Sequence, residues 1–105
     1  MSVSKENFVK TIFQLREDAR QDPVSGRLAA ELDVSGAAIT DMARKLDKEG
    51  LVRYRKYAPL ELTSAGRTLA VDIIRKHRLW ESFLYHVMHI PLEHVHKEAE
   101  NLEHQ

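Results

Sequence analysis

The chain has 105 residues, 43% of them hydrophobic, and balances 16 Lys/Arg against 16 Asp/Glu. That is enough for one core and too little for two comfortable domains; the lack of cysteine excludes disulfides and thiolate metal sites, and there is no signal peptide and no apolar run near the ~18 residues of a membrane helix. The zero net charge is unevenly placed, with seven Lys/Arg against Asp47, Glu49 and Glu61 between Arg44 and Arg67, and five Glu against Arg78 and Lys97 between His77 and Gln105, the stretch that also holds all six histidines. One part suits phosphates, the other protons or metal ions. No feature points to an oxidising compartment, and a cytoplasmic location is expected.

The first predicted helix covers residues 4–21, with Phe8, Val9, Ile12, Phe13 and Leu15 on its apolar face and Ser4 as its cap. Asp22-Pro23 is expected to stop it, since proline disfavours a helical residue before it. A short helix over 26–32 is joined through Asp33-Val34-Ser35 to a helix over 35–49, capped by Ser35 and closed by Gly50. Two extended runs, 52–56 and 60–62, flank Tyr57-Ala58-Pro59 and read as a hairpin. A long helix follows over 63–88, capped by Thr63 or Ser64, with Leu69, Ile73, Trp80, Leu84 and Val87 at helical spacing and His77 and Glu81 on the same stripe. It breaks at Ile90-Pro91, and a last helix runs from Leu92 to the end, its apolar stripe formed by Leu92, Val95, Ala99 and Leu102.

Helix, helix–turn–helix, hairpin, helix is the order of a winged helix–turn–helix. Leu28, Ala29, Leu32, Val34, Ile39, Met42 and Leu46 occupy its core positions, and Asp33 tolerates the left-handed turn where glycine is commonest. The expected fold is mainly α with a small β-hairpin wing, followed by a long helix and a metal-binding and dimerisation helix. A small helical bundle with a hairpin and no DNA role is the plainer alternative.

If 35–49 is a recognition helix, Ser35, Ala37, Ala38, Thr40 and Asp41 lie nearest the base edges, with Arg44 and Lys45 near phosphates. The two alanines can offer methyl contacts to thymine; Asp41 is either an acceptor for a cytosine amine or a solvated helix residue. Arg27, at the start of the preceding helix, and Arg53, Arg55 and Lys56 on the wing are placed for backbone phosphates. On the last helix His96, Glu100, Glu103 and His104 recur at spacings of four, seven and eight, sharing one arc. With His77 and Glu81 on the preceding helix they form a metal-ligand constellation. His86, His89 and His94 read instead as ordinary surface or satisfied core histidines.

The runs IRKHRLWESFL and IPLEHVHKEAENLEH resemble the metal-sensing segment of the diphtheria toxin repressor and manganese transport regulator family. The similarity extends back through LDVSGAAITDMARKLDKEGLVRYRKYAPLELTSAGR and the first helix. It implies a dimeric repressor activated by Fe²⁺ or Mn²⁺ that binds palindromic double-stranded operators, with other divalent transition metals able to substitute in vitro. Carried over by residue, it implies one metal site of Asn7, Glu100, Glu103 and His104, and a second of His77, Glu81 and His96. Asn7 stands where family members have aspartate or methionine, Lys10 where manganese-type members have glutamate, and Glu100 where iron-type members have cysteine. Oxygen and imidazole ligands without sulfur favour Mn²⁺, with Fe²⁺ next.

The expected organisation is a winged helix–turn–helix DNA-binding domain over 1–70 and the start of a metal-binding and dimerisation domain over 71–105, continuing past Gln105. A metal-independent winged-helix module, binding DNA or protein, is the alternative. A hydrolytic metalloenzyme lacks a nucleophile, an H-E-x-x-H run or a pocket-forming fold.

Overall fold

The structure, a computed structural model, describes residues 3–103, apart from the side chains of Leu92, Glu93, His96, Asn101 and Glu103. The chain divides into two compact units, Met1–Val71 and Asp72–Gln105. It is mainly helical with one small antiparallel hairpin, a winged helix–turn–helix followed by further helix.

The first unit contains α1 (Lys5–Glu17), α2 (Ser25–Leu32), α3 (Gly36–Lys48), β1 (Val52–Arg53), β2 (Glu61–Leu62) and the start of α4 (Ser64–His86). α1 packs on α2, α3 and β2; α2 packs on α3, and α3 on β1. Phe8, Val9, Ile12, Leu28, Ile39, Leu46, Val52 and Leu60 are the large side chains fully withdrawn from solvent there. Burying aliphatic and aromatic side chains of this size is worth about 1.5–3 kcal/mol each, so the α1–α2–α3 contact dominates the unit's stability. Phe13, expected on the same face, is only half-buried. In the helix–turn–helix bend Asp33 adopts the left-handed conformation (φ 53°, ψ 51°), and the Val34 amide donates to the Ala29 carbonyl at 3.1 Å. Ser4 and Ser35 cap α1 and α3, each hydroxyl accepting from the backbone amide three residues on at 3.1 Å. Gly50 follows α3 with φ 78°.

Several boundaries differ from the sequence reading. α1 ends at Glu17 rather than at 21, because the Asp18 and Ala19 amides both turn back to the Gln14 carbonyl and Arg20 adopts a positive φ of 52°. Pro23 is therefore not the stop; it is buried in the core, and its carbonyl accepts from the Leu60 amide at 3.0 Å. The strands are two residues each, pairing Val52 with Leu62 and Arg53 with Glu61. They stop there because Tyr54 gives its amide to the Asp47 carboxylate (2.8 Å), while Leu60 gives its amide to Pro23. Finally, α4 ends at His86: the Val87 and Met88 amides close onto the Phe83 carbonyl, the Ile90 amide onto that of Leu84, and His89 takes φ 58°. Val87 consequently leaves the apolar stripe and is exposed.

Thr63 is the cap of α4. Its hydroxyl accepts from the Gly66 amide at 3.1 Å and donates to the Gly50 carbonyl at 2.6 Å. Gly66 lies so close to the chain leaving α3 that a Cβ would stand 2.0 Å from the Leu51 carbonyl oxygen. Only glycine permits that approach.

The second unit holds the rest of α4 and α5 (Leu92–Glu103). Leu84, Val95 and Ala99 form its small core, with Trp80, Ile90 and Leu102 packed against them. Trp80 and Phe83 meet edge to face at 5.8 Å, the favoured geometry for aromatic pairs.

Candidate metal centre and nucleic-acid interface

The amino end of α3 is built from small residues. Ala37 is exposed and Ala38 half-buried, so backbone lies near the surface over the helix's first turn. The Ser35 hydroxyl spends a lone pair on the Ala38 amide, and the Thr40 hydroxyl donates to the Gly36 carbonyl at 3.2 Å. Each hydroxyl keeps hydrogen-bonding capacity: Ser35 its proton, Thr40 its lone pairs. Asp41, Arg44 and Lys45 are exposed along the following turns, as are Arg27 on α2 and Arg53, Arg55 and Lys56 on the wing. Salt contacts among the described residues engage Lys5 with Glu49, Arg16 with Asp22 and Arg67 with Glu17. They leave the α3 and wing cations facing solvent.

Two side chains outside the sequence-predicted set position this face. Asp47, at the end of α3, accepts from the Tyr54 amide and so ties the wing to α3. Thr63 ties the start of α4 to Gly50, just past that helix. An acid at a helix end followed by a strand, and a Thr directly after a strand, are the sequence signals of the two. The sequence marks Thr63 as a helix cap, but its tie to Gly50 and that of Asp47 to Tyr54 need tertiary structure to be seen.

In the second unit His77 is 7% exposed. Its Nε2 contacts the Glu81 carboxylate one helical turn on, and its Nδ1 faces the Glu100 carboxylate of α5 at 3.8 Å. Glu81 and Glu100 retain partial solvent access. One imidazole thus has a carboxylate on each edge. With the ring neutral the cluster carries two negative charges, with it protonated one; a divalent cation offsets both, which is how metal binding comes to displace protons from such ligands. Imidazole nitrogen and carboxylate oxygen without sulfur suit Mn²⁺ and Fe²⁺, while Zn²⁺ binds such sites more tightly on intrinsic affinity. Among the described residues no group of three side chains already surrounds a metal position.

Asn7, in the first unit, is the third residue of α1. Its amide is taken by Ser4, and its carboxamide oxygen is buried without a hydrogen-bond partner. An orphaned buried oxygen is rare and fits a missing cation or donor. His96 and Glu103, whose side chains are not described, and His104 lie outside the described residues. His86, His89 and His94 are exposed, and the His86 ring rests edge-on against Tyr85. The structure therefore brings together His77, Glu81 and Glu100, which the resemblance divides between two sites.

The sequence of the iron dependent repressor N-terminal DNA binding domain matches residues 1–60, and that of the iron dependent repressor metal binding and dimerisation domain matches residues 63–105. The chain belongs to the iron-dependent repressor family. It is 39% identical over 99 residues to the iron-dependent repressor IdeR of Mycobacterium tuberculosis (strain ATCC 25618 / H37Rv), covering 94% of this chain and 43% of that protein. The manganese regulator SloR has a similar structure, with a TM-score of 0.81 and 37% identity over 100% of this chain and 48% of SloR. A manganese-dependent transcriptional repressor in complex with manganese gives a TM-score of 0.86 at 33% identity, covering 96% of this chain and 46% of that one. The chain spans less than half the length of these family members. No helix among the described residues is long and apolar enough to cross a membrane.

Proposed function

We propose that this chain is a metal-dependent, DNA-binding transcriptional repressor of metal homeostasis, activated by Mn²⁺ or Fe²⁺, acting as a cytoplasmic homodimer on palindromic operators. The observation that carries the reading is His77, buried between Glu81 and Glu100 in the unit matching the metal-binding and dimerisation domain. Two carboxylates around one buried imidazole carry more negative charge than the ring can offset, and a divalent cation supplies the balance. His77, Glu81 and Glu100, with His96, Glu103 and His104 of the same unit, are assigned as metal ligands. Asn7 is assigned as a further oxygen donor on the chemistry of its orphaned oxygen alone. The metal supplies positive charge that draws carboxylates and imidazoles into one arrangement; no bond of a substrate is made or broken, and the chain is no enzyme.

The DNA-reading domain is assigned to 1–70 and the metal-binding, dimerising part to 71–105. Ser35, Ala37, Ala38, Thr40 and Asp41 are assigned to base edges, and Arg27, Arg44, Lys45, Arg53, Arg55 and Lys56 to phosphates. Selection of duplexes from a random pool, with Mn²⁺ present, tests the reading. A palindromic sequence should emerge whose binding chelator abolishes and Mn²⁺ restores. Recovery of the same duplex in chelator would make the chain a constitutive DNA-binding module, and recovery of none would leave only a protein-interaction role.

A further inference from the structure

The tip of the wing carries an aromatic residue that nothing in the fold uses. Tyr57 is 95% exposed, the most exposed large hydrophobic side chain among the described residues. Its backbone sits at φ 66°, in the left-handed region that a bulky non-glycine residue occupies only at a cost. Strained positions of this kind persist where the surrounding structure fixes them, and they gather at binding sites. Here the tip is fixed from both ends: Tyr54 is held by Asp47, Leu60 by Pro23, and the Ala58 amide closes a turn onto the Arg55 carbonyl at 3.2 Å. The Lys56 ammonium lies 5.2 Å from the ring's centroid. Folding therefore holds a neutral aromatic ring out in water, on a positive-φ residue, beside Arg53, Arg55 and Lys56.

We propose that Tyr57 is a DNA-contact residue, its ring packing on the deoxyribose wall of the groove edge while the phenol hydroxyl donates to a phosphate oxygen. The inference rests on the repressor reading and adds an uncharged contact to its cationic ones. Charge selects the occupant. Lys56 beside the ring, with Arg55 and Arg53 exposed further back along the same wing, makes this end of the hairpin complementary to a polyanion, and a duplex presents apolar sugar between rows of phosphate. Tyrosine, apolar along its body and polar at its tip, matches that surface. Arg53, Arg55 and Lys56 supply the charge that draws the wing to the backbone, and Tyr57 supplies an uncharged ring to pack on the sugars between phosphates.

The test uses the full chain with Mn²⁺ and the duplex recovered by selection, comparing wild type, Tyr57→Gly, Tyr57→Phe, and Arg53→Ala with Arg55→Ala. Glycine is at ease at positive φ, so Tyr57→Gly should fold and melt like the wild type. Its duplex affinity should nonetheless fall about tenfold, the loss expected when one partly buried ring is removed. The salt dependence of binding should keep its slope, because a neutral ring releases no counterions. Tyr57→Phe keeps the ring and should lose no more than about threefold, the share of one neutral hydrogen bond. Wild-type affinity in Tyr57→Gly overturns the proposal and leaves the ring to some other partner. A flattened salt slope in Tyr57→Gly also overturns it, since the change then acts by displacing Arg55 or Lys56. The double arginine variant tests the repressor reading separately: its weakened binding with an intact Tyr57→Gly would sink the tyrosine contact alone. Failure of the wild type to bind any duplex would sink both.

Discussion

Single residues set the tolerances of this molecule. Gly66 admits the Leu51 carbonyl against α4, and a methyl group there would meet it at 2.0 Å. Gly66→Ala should therefore destabilise the first unit by about 3 kcal/mol, the upper range of overpacking a rigid site, read from urea unfolding. Gly26→Ala is the control: nothing lies within 4 Å of the new methyl, and the site is helical. It should be neutral or slightly stabilising. Equal effects at the two glycines would show that the Leu51 approach is not a constraint. At the proposed metal cluster, His77→Ala removes the ring that both carboxylates face. Mn²⁺ affinity, measured by calorimetry, should fall more than about tenfold in His77→Ala and in Glu100→Ala, at least as much as losing a supporting group around a metal costs. His94→Ala, exposed on α5, should bind Mn²⁺ as the wild type does. An unchanged affinity in His77→Ala would remove His77 from the ligand set.

At the scale of elements, the wing is held by side chains and not by its ladder. Two residue pairs are too few to stand alone; Asp47, Pro23 and Thr63 supply the rest. Arg53→Ala with Arg55→Ala should weaken binding to all duplexes alike and lower the salt slope by about two, one per lost phosphate contact. A changed sequence preference at unchanged slope would place those arginines on bases. The helix–turn–helix is legible in the sequence because its determinants are local: Ser35 three residues before the amide it caps, Asp33 tolerant of positive φ, and Ile39, Ala43 and Leu46 at helical spacing along α3. The strand ends and the end of α1 are not, because they depend on long-range partners. Nothing near Tyr54 announces that Asp47 will take its amide, and nothing near Pro23 that its carbonyl awaits Leu60. The candidate site divides the same way. His77 and Glu81 lie one turn apart on a single helix, so their pairing follows from spacing. The approach of Glu100 to the other edge of the ring depends on the turn through His89 at positive φ, which local pattern does not reveal.

For the whole molecule, two surfaces must act together if the repressor reading holds. Leu79 and Phe83 lie one turn apart near the end of α4, with Val87 just past it, and the three are 64%, 42% and 58% exposed, apolar surface of the kind that marks interaction sites when contiguous. They fall within the match to the metal binding and dimerisation domain. Leu79→Glu with Phe83→Glu should convert a dimer to a monomer in sedimentation and abolish palindrome binding while each reading head keeps its fold. A dimer persisting in that variant would move the interface elsewhere. Two heads on successive major grooves must stand about 34 Å apart, so a metal that biases the dimer toward that spacing and a duplex that demands it favour the same state. Linkage then requires each ligand to tighten the other by one and the same factor. The deciding measurement is Mn²⁺ affinity with and without the selected duplex, set beside duplex affinity with and without Mn²⁺. The account predicts that both rise, by equal factors, and that His77→Ala erases the two together. Mn²⁺ affinity indifferent to the duplex would contradict it.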